Sequence, residues 1–132
     1  PELGGLEIVA GGTVALGSGP LVESARKAVR DNVGFYVGGM GARDKNFYNS
    51  ICQKYGYVDE AIEIQDLYLD GKKQEAAAKV PAEMLANTNL VGPKGYVKER
   101  IAAYKEAGVT YLQVMPIGDA TATVEQLREL ID

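Results

Sequence analysis

Leu6-Glu7-Ile8-Val9-Ala10-Gly11-Gly12-Thr13-Val14-Ala15-Leu16 is a near-continuous run of small and β-branched residues with a single charge. Strands covered on both faces carry such runs, because neither face needs polar side chains, so the stretch reads as a buried strand over 6–16. Ser18-Gly19-Pro20 follows as a turn with Pro at the first helical position. Val22, Ala25, Val29, Val33 and Tyr36 then recur at spacings of three and four, which predicts a helix over 20–37 with one apolar stripe. Gly38-Gly39-Met40-Gly41 ends it, since glycine tolerates the left-handed conformation that a helix stop often needs.

Downstream, Asp44 is the expected cap of a helix over 45–55, and Gly56 interrupts the chain. A helical stretch over 58–79 follows, with Tyr57, Ala61, Ile64 and Tyr68 on one face and Asp70-Gly71 closing its first part. Pro81 opens a short helix over 81–86. Leu90-Val91-Gly92-Pro93 reads as the entry to a helix over 93–107 that carries Val97, Ile101 and Tyr104 and stops at Gly108. A second strand is expected over 109–115. Thr123 with Gln126 forms a capping box for a last helix over 123–131, bearing Val124, Leu127 and Ile131.

The order is that of an α/β chain whose two strands, separated by a helical crossover, would pair in parallel. Two strands are few for a parallel sheet, and they leave bare edges on both sides. The expectation is therefore that residues 1–132 are the C-terminal portion of a larger (β/α) protein, an expectation with which the start at Pro1, without Met, agrees. Open edges also lead us to expect self-association into a homo-oligomer. The alternative is a non-catalytic helical interaction module carrying a small sheet.

Composition removes several classes of function. The 132 residues are 46% hydrophobic and 24% charged, within the range of globular domains. Fourteen basic against 18 acidic residues give a formal charge of −4, so there is no basic field for nucleic acid or an anionic membrane. Cys52 is the one cysteine and histidine is absent, which excludes an internal disulfide, a zinc site and a histidine-based triad. No stretch approaches the ~20 apolar residues that span a bilayer, and no signal-peptide order opens the chain, so the expected location is the cytoplasm.

Candidate binding residues concentrate after the first helix. Gly38-Gly39-Met40-Gly41 could bring backbone close to a ring or phosphate, although the segment lacks the strand-glycine-helix order of a dinucleotide fingerprint. Arg43 and Lys45, beside Asn46 and Tyr48, offer cations and hydrogen-bond donors for an anionic group. Gly92-Pro93-Lys94-Gly95 opens a helix whose free N–H groups suit an anion, or simply initiates it. Gly11-Gly12 allows a close approach, with packing as the simpler reason. Asp59, Glu63, Asp66 and Asp70 fall on one helical stripe that reads as a solvated face rather than a metal site. Cys52 reads as a small buried apolar residue, and no catalytic group is assigned.

Phe35-Tyr36-Val37-Gly38-Gly39-Met40-Gly41-Ala42-Arg43-Asp44-Lys45-Asn46-Phe47-Tyr48-Asn49 resembles the C-terminal region of the luciferase-like oxidoreductases that use the deazaflavin coenzyme F420. Ala61 to Gly71, Leu90-Val91-Gly92-Pro93, Arg100 to Tyr104 and Ala107-Gly108-Val109 are similar to that group's following segments, in its order. The resemblance implies the C-terminal portion of a TIM-like (β/α)8 barrel. It also implies hydride transfer between coenzyme F420 and a small organic substrate, with FMN-dependent monooxygenation as the variant. Gly38, Gly39, Met40, Gly41, Arg43, Lys45 and Tyr48 would then be the cofactor- or substrate-binding residues, most of the cofactor site and the activity lying in residues outside this chain.

Overall fold

The computed structural model describes residues 4–131, so Pro1 and Asp132 lie outside the described residues. The elements are β1 (Val9–Leu16), α1 (Pro20–Gly39), α2 (Phe47–Lys54), α3 (Val58–Leu69), α4 (Lys73–Ala78), α5 (Ala82–Thr88), β2 (Leu90–Gly92), α6 (Lys94–Glu106), β3 (Tyr111–Pro116) and α7 (Ala120–Ile131). They divide into two compact units, one formed by residues up to Ala25 with those from Ala86 onward, the other by Arg26–Leu85. No helix among the described residues is long and apolar enough to cross a membrane.

The first unit is built on a three-stranded sheet in the order β2-β1-β3, with both pairings parallel. The uncharged run takes the central place, where its ladder groups are used on both sides. Val14 to Leu16 pair with Leu90 to Gly92, and Val9 to Val14 pair with Tyr111 to Pro116. Alternation along the strands sends Val14, Leu90, Leu112 and Val114 to one face, where they meet Val97 and Ile101 of α6 and Leu127 of α7. Ala15 and Val91 point to the other face and pack with Val22 and Ala25 at the start of α1. Both faces of β1 are thus covered toward its C-terminal end, as a parallel strand requires.

Close approach of β1 and β3 explains one glycine. Gly11 stands opposite Gln113, and a Cβ there would overlap the Gln113 carbonyl oxygen. Gly12 is tight on its other side, where a Cβ would lie 2.8 Å from the Thr88 carbonyl oxygen, and the neighbouring Thr13 N–H donates to Asn89 Oδ1 at 3.2 Å.

The second unit is helical. Val37, Cys52, Ala61, Ile64, Ala76 and Val80 form its buried cluster, with Val33, Tyr57, Leu67, Tyr68, Met84 and Leu85 packed around it. The stripe read on α3 is the face that enters this cluster.

Several sequence expectations need correction. Among the described residues there are three strands, not two: Leu90-Val91-Gly92 pairs with β1 instead of opening a helix, and three residues are too few to show a period. The first strand starts at Val9 rather than Leu6, whose side chain is exposed. The stretch over 58–79 divides into two helices where the sequence placed the closure: Asp70 ends α3 and Gly71, at φ 81°, turns the chain before α4. Asn46 rather than Asp44 caps α2. The last helix begins at Ala120, not Thr123. Asp119 accepts from the Ala122 N–H at 3.0 Å, while the Thr123 hydroxyl turns back to the Asp119 carbonyl at 2.8 Å. Its buried side chains are accordingly Thr123 and Leu127, and Val124 and Ile131 are exposed.

The sheet is open at β2 and β3, and its order is not the sequential one of neighbouring barrel strands. Replacing Gly11 by Val is expected to lower unfolding stability by about 1–3 kcal/mol through the forced separation of β1 from β3. Gly5→Ala, at a site with no atom within 4 Å, should change it by about 0.5 kcal/mol or less. Urea midpoints of the two variants check both expectations.

Candidate functional site

The residues between α1 and α2 are shaped by where the backbone hydrogen bonds of α1 go. The last carbonyls of a helix lack partners within it and must find donors elsewhere. Asn46 supplies them, its Nδ2 donating to the carbonyls of Tyr36 and Val37, both at 3.0 Å. Its Oδ1 accepts the Asn49 N–H at 3.0 Å, which makes it the N-cap of α2. Asn49 Nδ2 donates to the Val37 carbonyl at 3.1 Å and to the Ala61 carbonyl of α3 at 2.8 Å. Gln53 Nε2 in turn donates to Asn49 Oδ1 at 2.8 Å. One buried carboxamide therefore joins the end of α1 to α2 and α3.

Gly38 and Gly39 fall inside the last turn of α1, and their missing side chains make room for Tyr68. A Cβ on Gly38 would lie 2.5 Å from Tyr68 Cβ, and one on Gly39 would overlap the Tyr68 ring. The notch is filled by an aromatic ring of the same unit. Gly41 is close to the Lys45 carbonyl, where a Cβ would come within 2.7 Å. Met40, Lys45 and Tyr48 are exposed. Tyr48 sits edge-on to Tyr36, ring centroids 4.7 Å apart, and next to Phe47 at 5.7 Å, in a run of rings that continues through Phe35 to Tyr68.

Arg43 forms an ion pair with Asp66 of α3. It also lines a cleft of about 480 Å³ together with Asp44, Asn46, Asn49, Ser50, Gln53, Ile62 and Gln65. Of the residues expected at a binding site, Arg43 and its neighbour Asn46 belong to this lining; Gly38, Gly39, Met40, Gly41, Lys45 and Tyr48 do not. Gln65 is the residue that sequence reasoning passed over. It stands at the i+4 position from Ala61, next to Ile64 on the apolar stripe of α3, and a polar side chain on such a stripe is the signal that could have found it.

The remaining candidates are spread apart. Glu63 pairs with Lys79 at 3.0 Å, Asp70 with Lys72 at 3.4 Å and Asp66 with Arg43, so three of the four stripe carboxylates answer separate cations. Among the described residues no three His, Cys, Asp or Glu side chains come together as metal ligands would. In the other unit, Pro93 precedes α6 as its N-cap without a side-chain hydrogen bond, and Gly95 has open space around it. Cys52 is fully buried, its Sγ 3.9 Å from Met84 Sδ. Burial, with a smaller contribution from the Glu60 carboxylate, pushes its thiol above the ordinary value of 9.0.

The profile of the luciferase-like monooxygenase family matches residues 2–111, a span that contains the Phe35 to Asn49 string. The chain belongs to that family. A protein of Mycobacterium tuberculosis named as a "putative coenzyme F420-dependent oxidoreductase" is 33% identical over 107 residues, which are 81% of this chain and 29% of that relative. The chain thus spans less than a third of the length of the curated relative it matches. No solved structure matches it.

Asn49→Leu strips donors from two buried carbonyls and is expected to cost about 2–4 kcal/mol in a urea unfolding curve, whereas Ser50→Ala, at the exposed neighbour, should cost about 1 kcal/mol or less. Cys52 yields a pH dependence. Below the ordinary thiol value both folded and unfolded chains keep the proton; above it the unfolded chain releases its proton first. Stability should therefore fall as pH rises through about 9 toward the raised folded value, and Cys52→Ala should flatten that decline when the two pH profiles are compared.

Proposed function

We propose that this chain is part of an oxidoreductase that transfers hydride between coenzyme F420 and a small organic molecule. Two findings support the reading: membership of the luciferase-like family over residues 2–111, and a relative named for F420 dependence. The second is the observation that favours the deazaflavin over FMN. Because the chain corresponds to 29% of that relative, the activity is proposed for the whole protein and not for these residues alone. Most contacts to the cofactor would come from elsewhere in that protein.

Within this chain the reading gives Arg43 the main binding role, as a cation at the mouth of a cleft and tied only by an ion pair in which both side chains are about half exposed. Such a pair is worth little and exchanges readily for an anionic partner. Lys45 and Tyr48, exposed on the same connecting segment and the first turn of α2, would contribute from outside the cleft. Met40 and Gly41 would act through the shape of the segment. Gly38 and Gly39, packed on Tyr68, would hold the end of α1 rather than touch a ligand. The wider proposal includes a cytoplasmic location and a homo-oligomeric state.

We also propose that the whole protein closes these strands into a (β/α)8 barrel. Consecutive barrel strands are neighbours, so β3 would there stand beside β2 instead of beside β1. A cysteine pair at Thr13 and Met115, which face each other across β1 and β3, distinguishes the arrangements in a Cys52→Ala background. Oxidative cross-linking is expected in the 132-residue chain and not in the full gene product. For the function itself, equilibrium binding of F420 and of FMN to the full gene product is the measurement. Saturable binding of F420 in preference to FMN is expected, and binding of neither would sink the proposal.

A further inference from the structure

The cleft of the helical unit contains a donor without an acceptor. Gln65 is 8% exposed, and its Nε2 is buried with no hydrogen-bond partner. A buried amide left in that state costs about 1–3 kcal/mol, and a leucine on the Ala61–Ile64 stripe of α3 would carry no such penalty. The other carboxamides of the lining are already engaged. Asn46 and Asn49 each use their nitrogen twice on backbone carbonyls, and the Ser50 hydroxyl donates to the Asn46 carbonyl at 3.2 Å. Gln65 thus brings unused N–H groups to a cleft of about 480 Å³, a size within the range of small-molecule sites. Ile62 adds an apolar wall, and Arg43 stands at the same lining with only an exposed carboxylate to hold it.

We infer that this cleft binds a small molecule through a carbonyl-type oxygen, neutral or carboxylate, that accepts from Gln65 Nε2. For a carboxylate, Arg43 supplies the second donor by turning from Asp66, a charge-assisted contact stronger than a neutral one. Asp44, on the same lining, opposes multiply charged anions and favours molecules carrying one such group. The inference concerns these residues only and does not depend on the cofactor or the reaction.

Titration of the isotope-labelled chain with monomethyl succinate and, separately, with its neutral monoamide tests it, the side-chain amide resonances of Gln65 being followed by NMR. Saturable shifts of those resonances are expected with at least one probe. Gln65→Leu, titrated through the backbone amide resonances of Asn49, Ser50 and Gln53 on the same lining, should weaken that binding about tenfold or more while matching or exceeding the parent in urea midpoint, since it removes an unsatisfied donor. Arg43→Gln should weaken the carboxylate and leave the monoamide unchanged if both bind, which separates the two sources of the oxygen. The inference is overturned if neither probe moves the Gln65 resonances saturably. It is equally overturned if Gln65→Leu binds as the parent does, or if it folds with a clearly lower midpoint, because the amide would then serve structure. Should Gln65→Leu fail to fold, the titration of the unsubstituted chain with its Gln65 resonances decides. F420 appears in none of these arms, so their failure leaves the proposed activity standing and the failure of F420 binding leaves this site standing.

Discussion

The Asn49 carboxamide is the contact on which the helical unit depends. It donates to the Val37 carbonyl at the end of α1 and the Ala61 carbonyl in α3, while the backbone N–H of Asn49 donates to Asn46 Oδ1. Helix ends leave carbonyls that water would ordinarily satisfy, and here the end of α1 is buried beside Gly38 and Tyr68. Side-chain amides are the donors that can follow the backbone into such a place. Because one residue serves two helices, the segment carrying Met40 to Lys45 leaves α1 in a defined direction. Arg43 consequently arrives at the cleft rather than at an arbitrary point on the surface.

A different constraint organises the sheet unit. Parallel strands need cover on both faces, and β1 receives it from α6 and α7 on one side and the start of α1 on the other. The connection from β2 to β3 crosses β1, which puts the longest strand in the middle and leaves β2 and β3 at the edges. Gly11 permits the Gln113 backbone to come close enough for that arrangement. The loss of a side chain at one position is what lets an eight-residue strand pair along most of its length with β3.

Polar residues in apolar surroundings mark the chemistry of the helical unit. Gln65 keeps a donor where packing alone would favour a hydrocarbon, and Asn46 and Asn49 are buried for a reason the hydrogen bonds make explicit. The exposed cations and carboxylates are of another kind: Lys79 with Glu63 and Lys72 with Asp70 are surface pairs whose energetic weight is small. Three carboxylates of the stripe that could have gathered a cation, Glu63, Asp66 and Asp70, are thus taken up by separate cations.

Local pattern was enough to read the α/β order, the apolar stripes of α1, α3 and α6, and the family through the string from Phe35 to Asn49. These features reside in spacing within ten or fifteen residues, so the amino-acid order determines them without knowledge of what packs where. It could not reveal β2, because three residues become a strand only when Val14 to Leu16 lie alongside. Nor could it rank Asp44 against Asn46, or Thr123 against Asp119, as helix caps, since each pair offers similar local chemistry; for Asn46 the carbonyls of Tyr36 and Val37, ten and nine residues away, make the choice. The glycines after α1 were legible as a group, but whether they face a ligand or an aromatic ring depends on where Tyr68 lands. The cleft belongs wholly to tertiary structure, since Arg43, Gln53 and Gln65 come from separate segments and meet only once Asn49 has joined the end of α1 to α3.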